Sequence, residues 1–389
     1  MELILEGADR NRPVVLCSYS LQFNRDIDVL QQHSTRYAWA ALPDTFLTEA
    51  QAAWMPARLR DQGYYVNESG ADVDAAWAKA KRFGLGLLAN LVRQGVKLTA
   101  VMAGNLDYWQ DECLRLACRE VGLPFLVLMR EHNLTGIRLQ TEGDYYAALS
   151  RIPKITAMAC AGEATRELFE RLNLLPAPQL RVTGWPRLDV WRHPVAPSHD
   201  RPIVLMSYLK GYGADTHFLG MMHLFSDLAR QYPQVPFLLK AKHAQEETQL
   251  RQIVAQRGLS LEVIDTMYLP SLLSNARAVV GFHSAAMYEA LLSPTRILIP
   301  RWGETDQAPK GLAPSPADPN LRGHMEFLPD EPSLRRAVAE CVVNGPPPVD
   351  MAARARVFNR YFAFDPNRTA VQRVEDFVDE FGRPDLRPA

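Results

Sequence analysis

The chain has almost no net charge, no long apolar run and no paired cysteines, and each absence narrows what it can be. Its 389 residues carry 43 Lys and Arg against 44 Asp and Glu, for a formal net charge of -1. No block of one sign stands out, so the electrostatic footprint of a nucleic-acid-binding surface is missing. No stretch approaches the ~18–20 apolar residues of a membrane-spanning helix. The opening MELILEGADRNRP has no basic segment leading into an apolar one. These absences predict a cytoplasmic protein that is free to touch the inner face of a membrane peripherally. The five cysteines (Cys17, Cys113, Cys118, Cys160 and Cys341) are odd in number and scattered, with no CxxC pair and no zinc-type spacing. They predict buried free thiols in a reducing compartment and no metal site.

What is present is ordinary globular material. Hydrophobic residues make up 47% and charged residues 22%, enough apolar content and length for two domains with their own cores. Short apolar runs alternate with helical patterns. Val14–Tyr19, Leu98–Met102, Pro124–Met129, Ile155–Cys160 and Leu180–Thr183 predict strands. Helices are predicted over Asp107–Val121 and Glu163–Leu172. The segment His193–Pro202 holds three prolines and little apolar content, which suits a linker. The alternation then restarts, with strands predicted at Ile203–Ser207, Phe237–Lys240, Leu261–Ile264, Ala278–Phe282 and Ile297–Pro300, and a last helix over Thr369–Phe381. Continuous apolar strands separated by helices predict parallel sheets covered on both faces. Two such halves place a cleft between them, and ligands of such sheets bind beyond the carboxyl ends of the strands.

Five segments at predicted strand ends carry the candidate chemistry. In AVVGFHSAAMYEA, a buried strand turns into a helix at His283, Ser284 and Ala285. Backbone amides and the Ser284 hydroxyl can there hold a phosphate oxygen, and Glu289 can reach a ribose hydroxyl. An ordinary strand–turn–helix is the competing account. In PFLLKAKH, Lys240, Lys242 and His243 suit a phosphate leaving group, or simply a strand end entering solvent. In MSYLKGYG, Ser207, Lys210 and Gly211 follow a strand and allow close approach of backbone amides to an anion, as would any flexible loop. In VTGWPRLD, a rigid turn aims Arg187 at a phosphate, a sugar carboxylate or Asp189. Asp189 is open to two roles, nucleophile or helix N-terminal carboxylate. In MREHN, Glu131 is the first choice for a general base and His132 the second, against a local Arg130–Glu131 pair.

Taken together and in order, these segments resemble the GT-B glycosyltransferases of bacterial surface-polysaccharide and teichoic-acid synthesis. VTGWPRLD is similar to the family's V-T-G-x-P-R-x-D, LLKAKH to its lysine–histidine strand end, and LPSLLSNARAVVGFHSAAMYEALLSPTRILIP to its donor-site segment. FDPNRTAVQRVEDFV is similar to its D-G-x-A-x-x-R terminal helix. The resemblance implies an α/β fold of two Rossmann-like domains facing across a cleft. The acceptor domain would occupy residues 1–195 and the donor domain residues 196–389, with the helix 369–382 able to pack back on the first. It implies a nucleotide-sugar donor, a glycan or lipid-linked glycan acceptor, and no obligatory metal or other cofactor. Retaining UDP- and GDP-sugar enzymes of this fold often carry a second Glu where this chain has Gly281 or Phe282. CMP-sugar enzymes tend to carry His-Pro and Ser-Ser or Ser-Thr, and His243-Ala244 and Ser284-Ala285 match the first member of each pair. The resemblance therefore points to a CMP-linked donor such as CMP-Kdo. By analogy with the retaining β-Kdo transferases, Asp189 would be the nucleophile. The competing expectations are a CDP-glycerol glycerophosphotransferase, a UDP-sugar 2-epimerase and a non-catalytic sugar-nucleotide-binding protein.

Overall fold

The structure, a computed structural model, describes residues 9, 11–18, 24–43, 45–62, 70–129, 143, 144, 146, 154–193, 201–207, 215–242, 244–264, 268–282, 284–302 and 314–383. The chain forms two compact units. One gathers the described residues up to Asp189 and those from Tyr361 onward; the other gathers Val190–Arg360.

The first unit is built on β1 (Val14–Cys17), β2 (Ala38–Ala41), β3 (Leu98–Ala103), β4 (Phe125–Leu128), β5 (Ala157–Cys160) and β6 (Leu180–Val182), hydrogen-bonded in the order β2-β1-β3-β4-β5-β6. Every pairing is parallel. Alternate residues share a face. Val15, Cys17, Trp39, Ala41, Ala100, Met102, Leu126, Leu128, Ala157 and Ala159 pack with Ile27 and Leu30 of the helix Asn24–His33, and with Val371, Val374, Phe377 and Val378 of the helix Ala370–Phe381. The last helix of the chain thus completes the core of the first sheet.

The second unit holds β7 (Ile203–Met206), β8 (Phe237–Lys240), β9 (Glu262–Ile264), β10 (Ala278–Val280), β11 (Arg296–Pro300) and β12 (Glu326–Leu328), in the order β12-β11-β10-β7-β8-β9 and again all parallel. Counted from β7, this is the 3-2-1-4-5-6 order of dinucleotide-binding sheets, whose direction of winding reverses between β7 and β10. The helices Asp215–Gln231 and Glu331–Asn344 cover one face through Phe218, Met221, Met222, Phe225, Leu334 and Val338.

All five cysteines are buried and unpaired, and burial pushes their thiol pKa values up. Among the described residues no helix is long and apolar enough to cross a membrane. The helix expected from Asp107 begins at Glu112 instead. The Asn105 carboxamide oxygen accepts from the amides of Leu106 and Asp107, at 2.6 and 3.3 Å, and holds that stretch as a turn.

Candidate functional site

In the second unit the carboxyl ends of three adjacent strands converge at the reversal point. Ser207 follows β7, Lys240 ends β8, and Gly281 and Phe282 follow β10. A buried glutamate that the sequence reading passed over links two of these ends. Glu246 accepts from the Ser207 hydroxyl at 2.7 Å and from the Lys242 amide. Its signal was its place in the first turn of the helix Ala244–Gln256, where a carboxylate complements the helix dipole. Lys240 is buried and its ammonium donates to the Ala241 carbonyl, whereas the Lys242 side chain is exposed. Beyond β10, Ser284 caps the helix Ala285–Glu289, its hydroxyl accepting from the Ala286 amide at 3.2 Å. Ala285 opens that helix and Glu289 closes it, with Glu289 Oε2 accepting from Trp191 Nε1 at 3.0 Å. The His217 ring packs edge-on against Phe282 and Trp302, with ring centroids 5.4 and 5.6 Å away. Glu131, His132, Lys210, Gly211, His243 and His283 lie outside the described residues.

The segment VTGWPRLD has a different use from the one expected. Asp189 accepts from the Ala370 and Val371 amides with its two oxygens, at 2.8 and 3.1 Å. The Thr369 hydroxyl takes the Gln372 amide at 3.0 Å, and the Thr369 amide donates to the Gln372 side-chain oxygen, also at 3.0 Å. All four N–H groups that a helix start leaves unpaired are thereby satisfied. Of the two roles open to Asp189, its two bonds are those of the helix-terminal carboxylate. Arg187 is likewise committed. Its amide and guanidinium reach the fully buried Asp26, at 3.0 and 3.4 Å, and the guanidinium stacks 4.0 Å above the Trp185 ring. From the other side, Arg373 donates to the carbonyls of Thr183, Ala363 and Arg368, each at 2.7 Å. The two segments that resemble family motifs at residues 182–189 and 365–373 are therefore partners in one staple.

Gly184 sits at the centre of that staple with φ 70°, and a Cβ there would lie 2.5 Å from the Ala363 carbonyl oxygen. Gly184→Ala is expected to lose at least about 2 kcal/mol of stability. Urea denaturation of the variant beside the wild type measures this, and an unchanged midpoint contradicts the packing described.

The first sheet carries a polar cluster at its own reversal point, between β1 and β3. Ser18 follows β1, Asn105 and Asp107 follow β3, and Asp111, Glu112 and Arg115 come next; all six are buried. Glu112 pairs with Arg115, whose guanidinium also donates to the Leu106 carbonyl at 2.8 Å. Asn105 Nδ2 is buried with no partner among the described residues. Burial pushes the Asp111 carboxyl up to about 6, helped by Asp107 and Glu112, against the lowering effect of the Ser18 hydroxyl bond and Arg115. A carboxyl poised there can exchange a proton near neutral pH. The signal was available in sequence as G-N-L-D directly after a buried strand, but Asp107 and Asp111 fall inside the predicted helix Asp107–Val121.

Neither a family model nor a curated protein matches the sequence. Solved structures similar to it include the UDP-N-acetylglucosamine 2-epimerase of Neisseria meningitidis bound to UDP-N-acetylglucosamine (12% identity over 95% of this chain and 100% of that one, TM-score 0.50). The UDP-N-acetylglucosamine 2-epimerase of Methanocaldococcus jannaschii is similar as well (10% identity, 95% and 99% covered, TM-score 0.52). So is a glycosyltransferase of Rickettsia africae (12% identity, 95% and 99% covered, TM-score 0.53). At these identities the likeness is one of fold, and this chain has the α/β architecture of the GT-B-like enzymes, two parallel six-stranded sheets covered by helices.

Proposed function

We propose that the protein is an enzyme acting on a nucleotide-activated sugar, and that it transfers the sugar to a glycan or lipid-linked glycan in the synthesis of a bacterial surface polysaccharide. The observation that carries this reading is the 3-2-1-4-5-6 order of the second sheet, with polar groups gathered where its winding reverses. The nucleotide phosphates are assigned to Ser207, Lys242, Ser284 and Ala285, with Lys210, Gly211, His243 and His283 completing the set, and the ribose to Glu289. Lys240 supplies positive charge from within the sheet. The acceptor hydroxyl gives its proton to Glu131, His132 or Asp111 as its oxygen bonds to the anomeric carbon. The bond from that carbon to the phosphate oxygen breaks, and the nucleotide leaves with the electron pair. The donor proposed first is CMP-Kdo, because His243-Ala244 and Ser284-Ala285 match the first members of the His-Pro and Ser-Ser or Ser-Thr pairs of CMP-sugar enzymes. Arg187, held by Asp26, lends that donor no support. A second reading, sugar-nucleotide 2-epimerisation, is favoured by Asp107 and Asp111, because removing a carbon-bound proton needs carboxyl groups of this kind.

The test is thermal unfolding with CMP, CDP, UDP and GDP, each without added metal. A nucleotide at 100 times its Kd stabilises the native state by about 2.7 kcal/mol. A response to CMP selects the CMP-sugar reading, and a response to UDP selects a UDP-sugar enzyme. No response to any of the four refutes the nucleotide-sugar reading.

A further inference from the structure

Two residues beyond the Asp189 anchor, the chain makes a second set of bonds, all inside the second unit. The Tyr268 hydroxyl donates to the Val190 carbonyl at 2.6 Å, and the Trp191 indole N–H donates to Glu289 Oε2 at 3.0 Å. Trp191 and Glu289 are both half-buried and lie 98 residues apart in sequence. Glu289 Oε1 accepts from no other described residue. A free glutamate side chain spreads over many rotamers, and freezing it on ligand binding costs rotamer entropy. A hydrogen bond to a carboxylate is stronger than one between neutral groups, so it can hold one rotamer in advance. The identity of the donor matters too. An indole N–H donates only and carries no charge, so it does not compete for the hydroxyl protons of a ligand. A lysine or arginine in its place would neutralise the group it held.

We propose that Trp191 is a positioning and specificity-determining residue: it pins one oxygen of Glu289 so that the other faces the hydroxyls of a pentose, which favours ribonucleotides over 2′-deoxyribonucleotides. The inference rests on the nucleotide-sugar reading and deepens it at the same site. Asp189 and Trp191 then divide one short turn of chain (Pro186–Arg192) between two tasks, a helix cap in one unit and a ligand-facing carboxylate in the other.

Calorimetric titration of CMP, UDP, CDP and GDP, each beside its 2′-deoxy form, tests this on the wild type, Trp191→Phe and Glu289→Gln. The wild type is expected to favour the ribose form of its nucleotide by about tenfold, the scale of one hydrogen bond to a charged group. In Trp191→Phe, which keeps the ring and removes the donor, the preference falls to threefold or less while 2′-deoxy affinity stays put. Retained 2′-deoxy affinity also shows that the variant is folded. In Glu289→Gln the preference disappears. An unchanged ratio in either variant overturns the proposal, as does a Trp191→Phe that loses affinity for both forms equally, since that is the mark of a purely structural role. A wild type that binds both forms equally overturns it while the nucleotide-sugar reading stands. A wild type that binds neither form of any nucleotide defeats that reading and this one with it.

Discussion

Asp111→Asn is expected to make the protein more stable at pH 7 by about 3 kcal/mol. Asp111 is buried and its carboxyl is pushed from the ordinary 3.8 up to about 6. Between those two values the folded state holds a proton that the unfolded state has already released. Stability therefore falls as pH rises from about 4 to about 6, and above that the folded protein carries the full penalty of a buried charge. Below pH 4 both states are protonated and the penalty vanishes. Asn removes the charge and keeps an acceptor oxygen for the Ser18 hydroxyl. Denaturant melts at pH 4, 5, 6, 7 and 8 are expected to start nearly together and diverge, with the variant ahead above pH 6. A variant no more stable than the wild type at pH 7 would mean that Arg115 and Ser18 compensate the ionised carboxylate fully. If activity is lost in the same variant that gains stability, the cluster carries the strain typical of a working site.

Glu375→Ala is expected to cost about 3–5 kcal/mol, a large share of the stability of a domain. This side chain is buried on the last helix and collects the turn after the first helix. Its Oε1 accepts from the Ser34 hydroxyl at 2.7 Å and from the Thr35 and Arg36 amides at 2.8 Å each, and its Oε2 takes the Arg36 guanidinium at 3.3 Å. Alanine leaves two amides without this acceptor and the buried Ser34 hydroxyl with only the Tyr37 carbonyl, 3.1 Å away. Glu375→Gln keeps an acceptor oxygen without the charge and is expected to fall between the two. Burial alone would raise the Glu375 pKa, but the bonds from Arg36, Ser34 and Thr35 outweigh it and hold the value below the ordinary 4.5. Its contribution is thus fully present above pH 4.5 and is lost as pH falls through the lower folded value. Urea denaturation at pH 7 measures the cost. A loss under 0.5 kcal/mol, the scale of a neutral surface change, would mean that the Glu375 bonds add nothing to what holds the last helix.

Most of the strand framework was legible because a parallel strand covered on both faces needs an unbroken apolar run. VVLC, LTAVMA, FLVL, IVLM and RILIP are such runs. β2 was not legible. Its residues, Ala38-Trp39-Ala40-Ala41, include no β-branched side chain and suit a helix by propensity, yet they form a fully buried strand beside β1. β12 is three residues long and sits at an edge, too short to show a period. Ser207, Lys242 and Ser284 could be singled out as candidates because they follow apolar runs, and Glu289 because it lies five residues beyond Ser284. Glu246 and Asp111 were missed because each lies inside a stretch that reads as helix.

By itself, the sequence determined the class of fold: alternating apolar runs and amphipathic stretches can satisfy their backbone groups and bury their apolar faces together only as helix-covered parallel sheets. It could not decide the work of individual polar residues, because a carboxylate's role depends on what lies within 3 Å of it, and those partners come from far along the chain. Asp189 was as credible a nucleophile as a cap until Ala370 and Val371 stood against it. Glu289 was a candidate for a ribose hydroxyl or a plain surface acid, and nothing in the sequence showed Trp191 beside it. Tertiary structure alone brought these partners together, since hydrogen bonds act over a few ångströms in space and carry no record in sequence distance.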